Sequence, residues 1–367
     1  MKPTEKLHDL GQSLWLDNIT RDLLDNGTLR RYIDDYSITG LTSNPSIFEA
    51  AIGHGHAYDA GICEHAQAGL SGERLFIAIA LEDLRRAADL FRPVFEASHG
   101  VDGWVSMEVS PLLADDGEAS LRAAREIFVQ AGRDNLFIKI PGTAAGIQAI
   151  EEAIFAGIPI NVTLLFDCQH YLAAANAYLR GIERRLANGL DPRVASVASV
   201  FISRWDVAIK DTAPAHLRNR LGVAVAGLAY QAYCELLASP RWRALAAAGA
   251  LPQRLLWAST GSKDPAVSAN LYVDALAAPE TINTLPEKTV LAFAETGNAG
   301  QLMDPDGVEA NAMLERFAEA GIDVTALAAR LQAEGAAAFV KSWQALLQRV
   351  AEKAATLPDG VDMAVPR

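Results

Sequence analysis

Cysteine is scarce: Cys63, Cys168 and Cys234 are the only three in 367 residues, odd in number and far apart. Such usage argues against a disulfide scaffold and fits a reducing compartment. No run approaches the ~18 consecutive apolar residues of a membrane span. Residues 1–9 are polar and lack the apolar core of a secretory signal. Positive charge is short as well, with 32 Lys plus Arg against 45 Asp plus Glu, a net of −13. Nucleic acid and anionic membranes are therefore not expected partners, although the net charge does not forbid a local basic pocket for phosphate. The first apolar run is followed by Asp17-Asn18-Ile19-Thr20, without the glycine cluster of a dinucleotide-binding sheet. The turn Pro141-Gly142-Thr143-Ala144-Ala145-Gly146 leads into a helix but lacks the Lys-Ser/Thr of a P-loop. His54, His56, Cys63 and His65 match no common zinc spacing, so no metal or cofactor is expected. These absences leave a soluble, cytoplasmic protein of enzyme size.

What is present is an alternation. Half of the residues are hydrophobic, enough for a sizeable core. Short apolar runs lie at 14–16, 37–41, 103–107, 135–140, 159–166, 197–202, 254–258 and, more weakly, 281–285. Between them fall segments of helical period at 82–97, 118–132 and 217–238. Ile147, Ile150 and Ile154 mark another, as do Leu172, Ala175, Leu179, Ile182 and Leu186. Regular β-then-α order with continuous apolar strands predicts a parallel sheet covered by helices. Eight units favour a closed (β/α)8 TIM barrel, here with 323–355 as one or two C-terminal helices packed outside it. No linker or repeat divides residues 1–367, which read as one domain.

Lys139 stands out within Leu136-Phe137-Ile138-Lys139-Ile140-Pro141, a run that reads as a strand buried on both faces. An unpaired ammonium there costs several kcal/mol. Burial favours the neutral amine, and a neutral lysine is a nucleophile towards carbonyls. Strand alternation puts Phe137, Lys139 and Pro141 on one face and aliphatic residues on the other. Other polar residues gather near strand ends, where barrel enzymes keep their reactive groups. They are Asp17, Thr42-Ser43-Asn44, Glu108, Asn161 with Thr163, and Ser199, Phe201 and Ser203 followed by Arg204. After the seventh strand, Ser259-Thr260-Gly261-Ser262-Lys263 suits a phosphate, with Lys263 as its ligand. A paired, chemically idle core lysine is the competing reading, with Glu108 or Asp17 as its partner.

Four segments resemble motifs of the transaldolase family, in order and spacing. They are Leu41-Thr42-Ser43-Asn44-Pro45-Ser46, Phe137-Ile138-Lys139-Ile140-Pro141, Ile160-Asn161-Val162-Thr163-Leu164-Leu165-Phe166 and Val197-Ala198-Ser199-Val200-Phe201-Ile202-Ser203-Arg204. Trp257-Ala258-Ser259-Thr260-Gly261 and the chain length are most similar to the longer bacterial members. The resemblance implies a (β/α)8 barrel that transfers a dihydroxyacetone unit in the pentose phosphate pathway. The donor would be sedoheptulose 7-phosphate or fructose 6-phosphate, and the acceptor glyceraldehyde 3-phosphate or erythrose 4-phosphate. By position, Lys139 matches the Schiff-base lysine and Asp17 the acid/base at the donor hydroxyl. Glu108 with Thr163 matches the pair handling water. Asn44 and Asn161 match hydroxyl-binding amides, Ser199 and Arg204 the phosphate grip, and Phe201 a ring lining the pocket. Shorter members carry an arginine two residues beyond the serine aligned with Ser259, where this chain has Gly261. Lys263 is the expected substitute, a point charge in place of a fork. Related fructose 6-phosphate aldolases, which release dihydroxyacetone, typically have glutamine and tyrosine where Glu108 and Phe201 stand.

Overall fold

All eight apolar runs form strands. In the computed structural model, which describes residues 1–262, 264 and 266–356, they are β1 (Ser13–Asp17), β2 (Ile38–Thr42), β3 (Val105–Glu108), β4 (Leu136–Pro141), β5 (Ile160–Leu165), β6 (Ser196–Phe201), β7 (Gln253–Ala258) and β8 (Ile282–Leu285). They pair in parallel in the order β2-β1-β8-β7-β6-β5-β4-β3. The outer two meet through a Gly40–Trp104 bridge, where the Leu41 N–H donates to the Trp104 carbonyl at 2.9 Å. The architecture is a (β/α)8 barrel.

Alternation divides each strand between two environments. Leu136, Ile138 and Ile140 of β4 pack in the layer beneath the helices, whereas Phe137 joins Trp15 and Trp104 inside the barrel. The interior is built in tiers. At the N-terminal ends of the strands, buried Arg254 pairs with Asp102 at 3.3 Å and donates to Ser13 Oγ at 2.7 Å. Above it the Phe137 and Trp104 rings stack 4.0 Å apart, and Trp15 Nε1 donates to Asp102 at 3.1 Å. The C-terminal ends, one tier further up, carry the polar residues singled out in the sequence.

Helix boundaries depart from the sequence reading in instructive ways. The helix Gly72–Ala97 begins earlier than 82, because Leu75, Phe76 and Ile79 continue its buried stripe. The helix Leu221–Ala238 begins later than 217, since Ala215–Leu217 forms a separate 3-10 turn. Its 18 residues, of mean hydropathy 1.4, are long and apolar enough to cross a membrane by composition alone. Here it packs on the helices Val308–Glu319 and Cys168–Ala187, which accounts for that apolarity. The C-terminal segment, read as one or two helices, is one helix, Val324–Thr356. Its second half lies outside the barrel, with Trp343 against Phe76. Its first half reaches the barrel mouth, where Gln332 donates to the Gly142 and Leu164 carbonyls at 3.2 and 3.0 Å.

Gly40 sits at the closing bridge. A Cβ there would stand 2.5 Å from the Trp15 indole, which is fully buried and cannot retreat. Gly40→Ala is expected to cost about 1–3 kcal/mol by overpacking, read from urea denaturation. An unchanged midpoint would contradict this role.

Candidate active site

Strand register assembles the centre. Glu108 on β3 pairs with Lys139 on β4, and Lys139 with Asn161 on β5, so three polar side chains stand in one row across the sheet. Lys139 and Glu108 are both buried, and Lys139 Nζ donates to Glu108 Oε1 at 2.5 Å and to the Ser43 carbonyl at 2.8 Å. Asn161 donates to Ser106 Oγ at 3.3 Å and accepts from Ser199 at 2.7 Å, which fixes its amide orientation. Asp17, at the end of β1, accepts from Thr42 Oγ1 at 2.8 Å, and Thr42 shares a 2.6 Å hydrogen bond with Thr284.

Burial holds the Glu108 carboxyl above the ordinary glutamate range, opposed by Lys139 and assisted by the nearby negative charge of Asp17. The carboxyl is thereby a better proton acceptor for the ammonium it touches. The two groups stand 2.5 Å apart, within reach of direct proton exchange.

The amine is not sealed in. A chamber of about 720 Å³ is lined by Asp17, Asn44, Lys139, Thr163, Ser199, Phe201, Arg204, Ser259 and Phe339, among others. A second recess of about 330 Å³ adds Glu108 and Leu164, and Lys139, Thr163 and Phe339 border both. Thr163 Oγ1 is buried and has no hydrogen-bond partner among the described residues. Two residues at this mouth adopt left-handed backbone without being glycine: Leu164 at φ 60° and Ser259 at φ 56°. Such conformations cost about 1–3 kcal/mol each. At Leu164 the ladder between β5 and β6 shifts register, and its carbonyl accepts from Gln332.

Over nearly its whole length the chain is similar to known proteins. Residues 14–350 match the family described as Transaldolase/Fructose-6-phosphate aldolase. The chain is 41% identical to Transaldolase 2 of a Nostoc species, covering 95% of this chain and 96% of the relative. It is 44% identical to the transaldolase of Thiobacillus denitrificans over 95% of this chain and all of that protein, and 44% identical to that of an Arthrobacter species over 94% and 95%. The chain belongs to the transaldolase/fructose-6-phosphate aldolase family.

Within that transaldolase framework, ten of the eleven residues expected in the site are gathered at one mouth. Glu108 lines the recess, the other eight line the chamber, and Asn161, buried and lining neither, pairs with Lys139 and accepts from the chamber residue Ser199. Lys263 lies outside the described residues. Asn44 also caps the helix Pro45–Gly53, accepting from the Ile47 N–H at 3.1 Å, so its amide nitrogen is what remains to offer a ligand. Ser259 reaches Ser203 Oγ at 3.0 Å. The histidines and Cys63 do not converge: His56 pairs with Asp59 and His65 with Glu82, and no cluster that could hold a metal occurs among the described residues. Sequence reasoning missed three participants. The Ser43 carbonyl is backbone and leaves no side-chain signal. Gln332 and Phe339 sit on a helix whose apolar stripe says that it packs, but not on what.

The raised Glu108 carboxyl predicts a pH dependence. The folded state holds that proton more tightly than the unfolded chain does. Its stabilising contribution is therefore complete below the ordinary glutamate pKa and is lost as pH rises through the higher folded value. Thermal scans from about pH 4 to 7 should show the wild type losing stability relative to Glu108→Gln as pH rises. A pH-independent difference would contradict the shift.

Proposed function

We propose that this chamber carries out transaldolase chemistry, moving a dihydroxyacetone unit from a ketose phosphate to an aldose phosphate through a covalent bond to Lys139. One observation carries the reading: a buried amine, 2.5 Å from a carboxyl of raised proton affinity, opens onto a chamber that Asp17 and Arg204 also line. An idle core ion pair has no need of that cavity.

Each side chain then has a task. Glu108 takes the Lys139 proton, and the amine attacks the ketose carbonyl. The resulting carbinolamine loses water, with Glu108 returning the proton and Thr163 Oγ1 holding the leaving oxygen. The iminium is an electron sink. Asp17 removes the proton of the donor hydroxyl, the carbon–carbon bond breaks, and the aldose phosphate departs. The bonding electrons stay in the three-carbon unit on Lys139 until an acceptor aldehyde takes them, and Asp17 gives back its proton. Water then adds across the iminium with Glu108 as base, and the carbinolamine breaks to free the new ketose and the amine. Asn44 and Asn161 hold sugar hydroxyls, while Ser199, Ser259 and Arg204 receive the phosphate end. The two carboxylates divide the work because their surroundings differ. Glu108 is buried against an amine, and Asp17 sits on the chamber wall with Thr42. Sedoheptulose 7-phosphate and fructose 6-phosphate are the proposed donors, glyceraldehyde 3-phosphate and erythrose 4-phosphate the acceptors, and the cytoplasm the proposed location. A need for an aldose acceptor separates transfer from simple release of dihydroxyacetone.

Trapping tests the covalent step and the division of labour together. Borohydride with fructose 6-phosphate should add a three-carbon unit at Lys139 in the wild type and nothing in Lys139→Ala. Asp17→Asn should slow transfer by roughly 10²–10⁴-fold and shift the trapped adduct towards the uncleaved six-carbon sugar. Sugar binding with an unchanged wild-type mass would refute the Schiff base. Loss of all trapping in Asp17→Asn would refute the separate roles.

A further inference from the structure

Arg204 is held in an unusual way. It is partly buried, yet it has no hydrogen bond or ion pair with any described residue. Burial alone lowers its proton affinity, with no carboxylate to offset it. Two rings flank it instead. Its Cζ lies 5.1 Å from the Phe201 centroid and 6.0 Å from that of Phe339. Phe201 is itself stacked on Phe166 at 5.4 Å, and the Phe166 carbonyl accepts from Trp205 Nε1. Phe339 comes from the helix Val324–Thr356, which approaches closely: a Cβ on Gly335 would stand 3.1 Å from Arg204 Nη1 and 3.0 Å from Leu164.

We propose that Phe339 is a specificity-determining residue that clamps the Arg204 guanidinium against Phe201, so that its N–H donors are kept for the phosphate end of the sugar. A guanidinium has five donors and stacks well on aromatic faces. Rings hold its position without using those donors, as a carboxylate partner would. Gly335 supplies the backbone room, and Gln332 pins the helix to the strand ends. The inference rests on the sugar-phosphate reading of the chamber and adds the recognition element that no barrel strand supplies.

Steady-state kinetics and trapping decide it. In Phe339→Ala the KM for fructose 6-phosphate should rise roughly 3- to 30-fold, the range expected for loss of one cation–π face. The value of kcat should change by less than about 2-fold, because the interaction is the same in ground and transition states. Borohydride trapping of Lys139 with dihydroxyacetone, which has no phosphate, should be unaffected. Phe339→Tyr keeps the ring and should restore KM. Gly335→Ala, which crowds Arg204 while favouring helix, should raise KM in the same selective way and guards against misfolding of the first variant. An unchanged KM in the variants, or a parallel fall in dihydroxyacetone trapping, would overturn the clamp alone. A wild type that turns over no fructose 6-phosphate would overturn the sugar-phosphate reading, and the clamp with it.

Discussion

The contact between Lys139 and Glu108 is the constraint around which this barrel is arranged. Removing two charges from water is costly, and losing either partner of such a buried pair costs about 3–5 kcal/mol because the other is left uncompensated. Here the same burial raises the proton affinity of Glu108, the group that the Lys139 ammonium touches. The pair tolerates its position because it is not fully enclosed. One side meets the Ser43 carbonyl and the other meets a chamber.

The tiers below and above serve that contact. Arg254 and Asp102 plug one end of the barrel, and an aromatic layer of Trp15, Phe137 and Trp104 seals the middle. Among the described residues, Lys139 borders the chamber at the mouth, where a reactive three-carbon intermediate would need protection. At that mouth the backbone is strained at Leu164 and Ser259, and the C-terminal helix ties the first of these down through Gln332. Strain of this kind persists when the surroundings over-determine it.

Much of this was legible in the sequence, for identifiable reasons. Strands buried on both faces write continuous apolar runs, so all eight could be placed, and a lysine interrupting one of them is conspicuous. Alternation correctly assigned Phe137 and Lys139 to the interior because β4 is regular throughout. It could not foresee Leu164, where a register shift turns a residue that alternation would place outside towards the mouth. Arg254 and Asp102 escaped notice because they lie at the edges of their apolar runs, where polarity is ordinary. The C-terminal helix packs on the helix layer through Trp343 and reaches the strand ends through Gln332. An amphipathic stripe records that a face is covered, not that Phe339 and Ala336 cover a chamber. The family resemblance supplied the roles proposed for Asp17 and Thr163; position alone would have left Asp17 as a polar strand end, whereas Thr163 is conspicuous because Leu164 and Leu165 follow it.

The most direct test of the central claim is a crystal structure of the protein reduced with borohydride in the presence of fructose 6-phosphate. Expected is continuous density from Lys139 Nζ into a carbon chain within the chamber, with Glu108 no longer in contact with a free ammonium. An intact Lys139–Glu108 pair, with the sugar phosphate bound elsewhere on the molecule, would contradict it.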